Sequence, residues 1–258
     1  MNKAEAIEKL KQLENQCEKL DIDFKSVLAA CGMRFQKGNV GSPQPHVFKS
    51  KEELHSAMKS AVPILESYLL EPFESIKDAV VQSVGGNTFR AFPLKRLNVD
   101  KKPSQIYRQV VTQIFEHNLE KFVQLTSVDA YEKFVIENSQ LIAREFDTAA
   151  GVSEFMGFGR ASKLFNLTCK AMLRYRGISA QQRATLLALA HVPWDSFTIQ
   201  GIRLLNPPFT ITSTQSMGWD EMNVVASYMM LQRWIRDLCS EVDLHPIHYE
   251  VAAWNQSH

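Results

Sequence analysis

The sequence predicts an all-α protein, on three observations. Apolar residues recur at three- and four-residue spacing along most of the chain, serine and aspartate stand just ahead of several such stretches, and no segment shows the alternation of a half-buried strand. At 258 residues, with 45% hydrophobic and 22% charged side chains, the chain has the composition and length to bury one or two cores. No run of eighteen apolar residues occurs, and the first thirty residues alternate Lys, Glu and Leu without the apolar centre of a secretory leader. No membrane span is expected. Cys17, Cys31, Cys169 and Cys239 are scattered and form no CxxC pair, which speaks against zinc or iron–sulfur and fits a reducing cytoplasm. The expectation is a cytoplasmic protein without metal or cofactor.

The elements follow in order. Ile7, Leu10, Leu13, Cys17, Leu20, Phe24, Val27 and Leu28 predict helices over residues 2–30, and Gly32 ends that stretch. Gly38, Gly41, Pro43 and Pro45 mark a loop. A second helical block runs from Lys51 to Val84, with a start or kink at Pro63 and another at Pro72; Gly85-Gly86-Asn87 breaks it, and 88–102 reads as irregular. Ser104 is placed to cap a helix through Gln124, and Ser127 with Asp129 opens the next, carrying Tyr131, Phe134, Ile136, Leu141 and Ile142. Between Val152 and Tyr175 a turn, Gly157-Phe158-Gly159, precedes a long helix. Ser179 caps a helix over 180–190, Asp195 begins one over 196–205, and Pro207-Pro208 ends it. The last helices are expected from Trp219 to Ser240 and from His248 to Trp254. Neither an internal repeat nor a low-complexity tract is present.

The net charge of +1 says little, but its distribution says more. Between Glu154 and Asp195 no acid occurs, while Arg160, Lys163, Lys170, Arg174, Arg176 and Arg183 all fall there. Such a stretch predicts a local cationic surface that a phosphate backbone would seek, or else a solvated basic face. His191, His245 and His248 have no partners at metal-ligand spacing and read as structural or phosphate-contacting.

Three features stand in sequence and carry chemistry. The run Gly157-Phe158-Gly159-Arg160-Ala161-Ser162-Lys163 puts glycines where a backbone can approach a phosphate, ahead of a helix start whose amides attract anions. Lys163 lies one turn inside that helix. Thirty-two residues after it, His191-Val192-Pro193-Trp194-Asp195 brings an aspartate to the start of another helix. Singly, such an aspartate is an N-cap and such a lysine a surface charge. What joins them to catalysis is a resemblance.

This series of hairpin, helix, V-P-x-D and helix resembles the helix-hairpin-helix DNA glycosylases. The long gap from lysine to aspartate is similar to the archaeal 8-oxoguanine DNA glycosylase (AGOG) branch. Near the end of the chain, Pro246-Ile247-His248-Tyr249-Glu250-Val251-Ala252-Ala253-Trp254 looks like that branch's P-L-H-x-D-x-x-x-W segment, with Glu250 in place of the usual aspartate. Val81-Gln82-Ser83 stands where its pocket glutamine would be. The likeness covers residues 62–258, with motif support in 157–201 and 246–254; the N-terminal sixty residues have no counterpart.

The resemblance implies a two-lobed helical fold with the active-site cleft between the lobes: an N-terminal extension over 1–60 and a glycosylase-like region over 61–258, its hairpin and catalytic segment near 150–205. It implies a monomer that binds double-stranded DNA and flips a damaged or modified base into a pocket. The base is then cleaved from the sugar, leaving an abasic site. Lys163 would attack the sugar C1′ and leave a Schiff base able to support strand cleavage, or water would attack in its place. Asp195, ionised, would stabilise the oxocarbenium-like transition state. Trp254 would stack on the base, with Glu250 and Gln82 reading its edge. Gly157, Gly159, Arg160 and Ser162 would hold the DNA backbone, with Phe158 close to it. An 8-oxoguanine-like substrate implies repair, and a hypermodified phage-type base implies antiviral defence; the residues leave both open. Two other readings need less: a non-catalytic helix-hairpin-helix DNA-binding module, and a helical interaction protein with a solvated basic face.

Overall fold

A computed structural model describes residues 3–20, 44–85, 88–89, 102–151, 153, 155–212 and 220–257. The chain divides into a unit of residues 1–44 and one of residues 45–258. In the first, α1 (Lys3–Lys19) is the described helix, and Cys17 on it is buried. The helix expected through Phe24, Val27 and Leu28, the loop around Gly38 and Gly41, Pro93 and Trp219 lie outside the described residues. The boundary expected at residue 60 would fall within the next helix.

The second unit is all-α. Among the described residues there is no strand, and an isolated bridge pairs Phe73 with Tyr175. In order come α2 (Lys51–Leu69), α3 (Ile76–Ser83), α4 (Pro103–Val123), α5 (Val128–Ala150), α6 (Phe158–Met172), α7 (Ala180–Leu189), α8 (Ser196–Gly201), α9 (Asp220–Asn223), α10 (Val225–Ser240) and α11 (Pro246–Ser257). No described helix is long and apolar enough to cross a membrane.

The starts are chemical. Ser50, Ser75, Ser127, Ser179 and Asp195 each accept a backbone N–H from the first turn, removing a donor that the helix cannot satisfy internally. Where the structure departs from expectation, the reason is local. Pro63 neither starts nor ends a helix, because it faces solvent midway along α2, where water can take the carbonyl it leaves free. Pro72, between α2 and α3, does break the block. The helix expected to be capped by Ser104 begins two residues earlier, with Pro103 at its first position and the Lys102 N–H donating to Gln105 Oε1 at 2.8 Å. The last long segment divides at Val224, whose extended backbone separates α9 from α10.

Two clusters of buried apolar residues make up the interior of this unit. One gathers α3 to α6, with Tyr107, Phe115, Phe122, Phe134, Phe146 and Phe165 at its centre. The other gathers α2, α8, α10 and α11 with the strap 190–195, around Phe48, Trp194, Tyr228 and Tyr249. Leu69 and Leu187 pack against both. Helix α6 contributes Ala161, Leu164, Phe165 and Cys169 to the first cluster, while its first residue, Phe158, belongs to the second. The helix thus runs from one core into the other.

Candidate active site

Lys163 and Asp195 meet. Lys163 Nζ lies 3.3 Å from Asp195 Oδ2, and the side chains are 11% and 7% exposed, so the pair is shielded without being sealed. Lys163 comes from α6, whose neighbouring side chains fill the first core; Asp195 follows Val192 and Trp194, which fill the second. The ion pair therefore spans the seam between the two cores.

The carboxylate's two oxygens do different work. Asp195 Oδ1 accepts the Phe197 N–H at 2.9 Å and the Thr198 N–H at 3.1 Å, capping α8, while the Asp195 N–H donates to Thr198 Oγ1 at 2.8 Å. Oδ2 is left to face the amine. Two backbone amides and the lysine amine thus hold the carboxylate in place before any ligand arrives. Beneath it, the Tyr249 hydroxyl donates to the Thr198 carbonyl. Burial, reinforced by the charge of Asp195, holds that phenol neutral far above its ordinary range.

A cavity of about 390 Å³ lies further along the same helix, lined by Ile64, Leu65, Tyr68, Lys170, Glu250, Val251, Trp254 and Asn255. Lys170 is two turns beyond Lys163 on one face of α6, about 10 Å along its axis. A second link runs through Phe197, two residues past Asp195, whose ring lies 4.8 Å from that of Trp254. In the cavity wall Lys170 Nζ donates to Glu250 Oε2 at 2.5 Å and stands 5.2 Å from the Tyr68 ring. Glu250 is 4% exposed, so its charge is balanced by the lysine rather than by water.

Of the expected base-pocket residues, Glu250 and Trp254 line this cavity. Gln82 does not; it is exposed on α3, while its neighbour Ser83 bonds to Thr168 at 2.8 Å. Tyr68 and Phe197 were not singled out from sequence, and Lys170 was read only as part of the cationic stretch. For Lys170 a signal existed, its seven-residue spacing from Lys163; for Tyr68, which arrives from α2, there was none.

The expected phosphate-binding hairpin takes a different form. Gly157 has φ +72°, a conformation suited to glycine, and caps α6, which starts at Phe158, so Phe158 and Gly159 lie inside the helix rather than in a turn ahead of it. However, the Gly159 N–H donates to Asn223 Oδ1 at 3.0 Å, so this anion-seeking amide is capped from within the chain. Ser162 is 1% exposed and donates to the Gly159 carbonyl at 3.0 Å. Buried and bonded, Gly159 and Ser162 do not present these groups to a DNA backbone, and Phe158 is buried against Tyr228. Gly157 and Arg160 remain partly exposed.

The expected cationic surface is also largely neutralised. Lys163 pairs with Asp195, Lys170 with Glu250, Arg174 with Glu71 at 3.3 Å and Arg176 with Glu74 at 2.6 Å. Acids absent from this stretch of sequence are supplied by other elements. Among the described residues no group of three or more His, Cys, Asp or Glu side chains could hold a metal ion. His191 is buried, with burial and Arg236 pushing its pKa down to about 3, and is structural rather than phosphate-contacting.

No protein-family model matches the chain, and searches of curated proteins and of solved structures find no match.

Proposed function

We propose that the chain is a DNA N-glycosylase in which Lys163 and Asp195 act together on the sugar of a flipped nucleotide. The observation that carries this reading is the 3.3 Å approach of the amine to the free oxygen of a capped carboxylate, at a seam between two cores and on a helix that reaches a cavity two turns further on, at Lys170. A two-lobed architecture with its cleft at that seam accounts for the two clusters, and the cavity's volume lies in the range of small-ligand pockets.

The chemistry follows from the positions. An everted nucleotide places its base in the cavity against Trp254, with Lys170 offering donors and Glu250 acceptors to the base edge. Its sugar then falls toward the ion pair. As the bond from C1′ to the base nitrogen breaks, its electron pair leaves with the base, which takes up a proton, and positive charge grows on the sugar. Asp195 Oδ2 stabilises that charge without having to reorient. The unprotonated amine of Lys163 forms the new bond to C1′, and ring opening gives an imine that borohydride can reduce. With a protonated amine, water attacks and the product is a plain abasic site.

A non-catalytic DNA-binding module is the weaker reading. It rests on the hairpin amides and a free basic face, whereas Asn223 takes the Gly159 amide and four of the six cations have acidic partners. The substrate is a modified base, either 8-oxoguanine-like or a hypermodified base of the phage type. Incubation with oxidised DNA, other base-modified duplexes and modified phage genomes, followed by alkali, tests both. Strand breaks at one modified base, abolished in Asp195→Asn, are expected; intact strands on every substrate would overturn the reading.

A further inference from the structure

What holds the amine and the carboxylate at 3.3 Å is not in the pair itself. Lys163 belongs to a helix of one core and Asp195 to a strap of the other, and a small rotation of α6 against that strap would separate them. We propose that Tyr228 and Gln232 of α10 are positioning residues that set the distance between Lys163 and Asp195; this rests on the glycosylase reading.

Tyr228 and Gln232 stand one turn apart on the same face of α10 and are each 1% exposed. The Tyr228 hydroxyl accepts Asn166 Nδ2–H at 2.8 Å and lies 3.1 Å from His191 Nδ1. Asn166 is one turn beyond Lys163 on α6, and His191 is four residues before Asp195 on the strap. One phenol thus joins both halves of the site. With Asn166 donating, the phenol's own proton is free to go to His191 Nδ1 when the imidazole proton is on Nε2. Burial keeps His191 neutral, so that acceptor stays available. Gln232 completes the clamp: its Oε1 accepts the Val192 N–H at 3.0 Å, and its Nε2 donates to the Val192 carbonyl at 2.7 Å.

Two features separate this network from ordinary core polarity. Asn166 is buried with its Oδ1 unpartnered among the described residues, a costly arrangement that an apolar residue would avoid. Further, Asn166, Tyr228 and His191 bond to one another and Gln232 bonds to the Val192 backbone, while none of these bonds reaches the lysine amine or the aspartate carboxylate. They act through the two backbones. Catalysis by positioned groups is sensitive to such placement: an error near 1 Å can cost about a hundredfold in rate.

The test compares Tyr228→Phe with Tyr107→Phe. Tyr107 is equally buried and also bonds through its hydroxyl to α6, at the Leu164 carbonyl (2.7 Å) and Thr168, but has no bond to the strap. The first readout needs no substrate: the acetylation rate of Lys163 under limiting acetic anhydride, followed by peptide mass spectrometry. The second is single-turnover base release at saturating DNA, measured beside DNA affinity. Tyr228→Phe is expected to acetylate about tenfold faster at Lys163 and to release base at least about tenfold more slowly, with DNA affinity within about twofold. Tyr107→Phe is expected to change neither. Should Tyr228→Phe fail to fold, Asn166→Ala severs the same link from α6 and carries the same expectation. Wild-type acetylation at Lys163 in the variant that cuts this link, or an equal change in Tyr107→Phe, would overturn the inference. If the wild-type protein releases no base, the glycosylase reading falls, and acetylation still decides whether the clamp exists.

Discussion

Removing the negative charge at position 195 while keeping its cap separates what the ion pair contributes from what the helix start contributes. In Asp195→Asn the amide oxygen can still accept from the Phe197 and Thr198 amides, as Asp195 Oδ1 does at 2.9 and 3.1 Å. Lys163, 11% exposed, then has no counter-ion and little access to water, and breaking such a pair from one side costs about 3–5 kcal/mol. Asp195→Ala loses the cap as well, for about 1 kcal/mol more. Exchanging both partners, Lys163→Met with Asp195→Asn, removes the desolvated charges together, so the double variant should recover most of the loss and can exceed the wild type by about 1–4 kcal/mol. Urea unfolding followed by tryptophan fluorescence reads all three. With a urea slope of about 2 kcal/mol per molar, Asp195→Asn should lower the midpoint by about 2 M. A loss below about 1 kcal/mol in the single variant, or additive losses in the double, would show that the two groups do not interact in the folded protein.

Three further outcomes follow. His191 is neutral when folded, with a pKa near 3 against 6.5 when unfolded, so the unfolded chain binds the extra proton as pH falls; stability should decline from pH 6.5 toward 3 by up to about 1.4 kcal/mol per unit from this group. An unfolding series in that window should be flatter in His191→Gln, and an unchanged slope would contradict the burial of this ring. Gly157→Ala combines φ +72° with a Cβ placed 2.7 Å from Asn223 Oδ1, and should cost about 1–3 kcal/mol in thermal unfolding; an unchanged melting temperature would refute that geometry. Trp254→Ala should weaken base capture by about 1–3 kcal/mol, seen as a higher half-saturation for base release, and no change would remove Trp254 from the site.

Much of the fold was legible because helix starts are local chemistry. Ser127, Ser179 and Asp195 cap as their positions indicated, and the apolar spacing in 128–150 and 158–172 gives α5 and α6. What periodicity could not give was partnership. A proline need not end a helix where water can reach the carbonyl it orphans, and Pro63 lies on the solvent face of α2. The cations of 160–183 were read without the acids that neutralise four of them, because Glu71, Glu74 and Glu250 come from distant segments. Asn223, more than sixty residues after Gly159, caps an amide that the sequence suggested was free for phosphate. Lys163 and Asp195 were singled out through the resemblance that their motifs carry; their buried pairing is a tertiary fact. Tyr68 and the Asn166–Tyr228–His191 link are equally tertiary, and no local pattern marks them.

The most direct test is borohydride reduction of the protein mixed with duplex DNA carrying one abasic site, followed by digestion and mapping of any protein–DNA adduct. The expected result is a single adduct on the peptide containing Lys163, absent in Lys163→Gln and present with wild-type protein at moderate salt. An adduct on another lysine, or none on any abasic duplex, would contradict the assignment of Lys163 as the nucleophile beside Asp195.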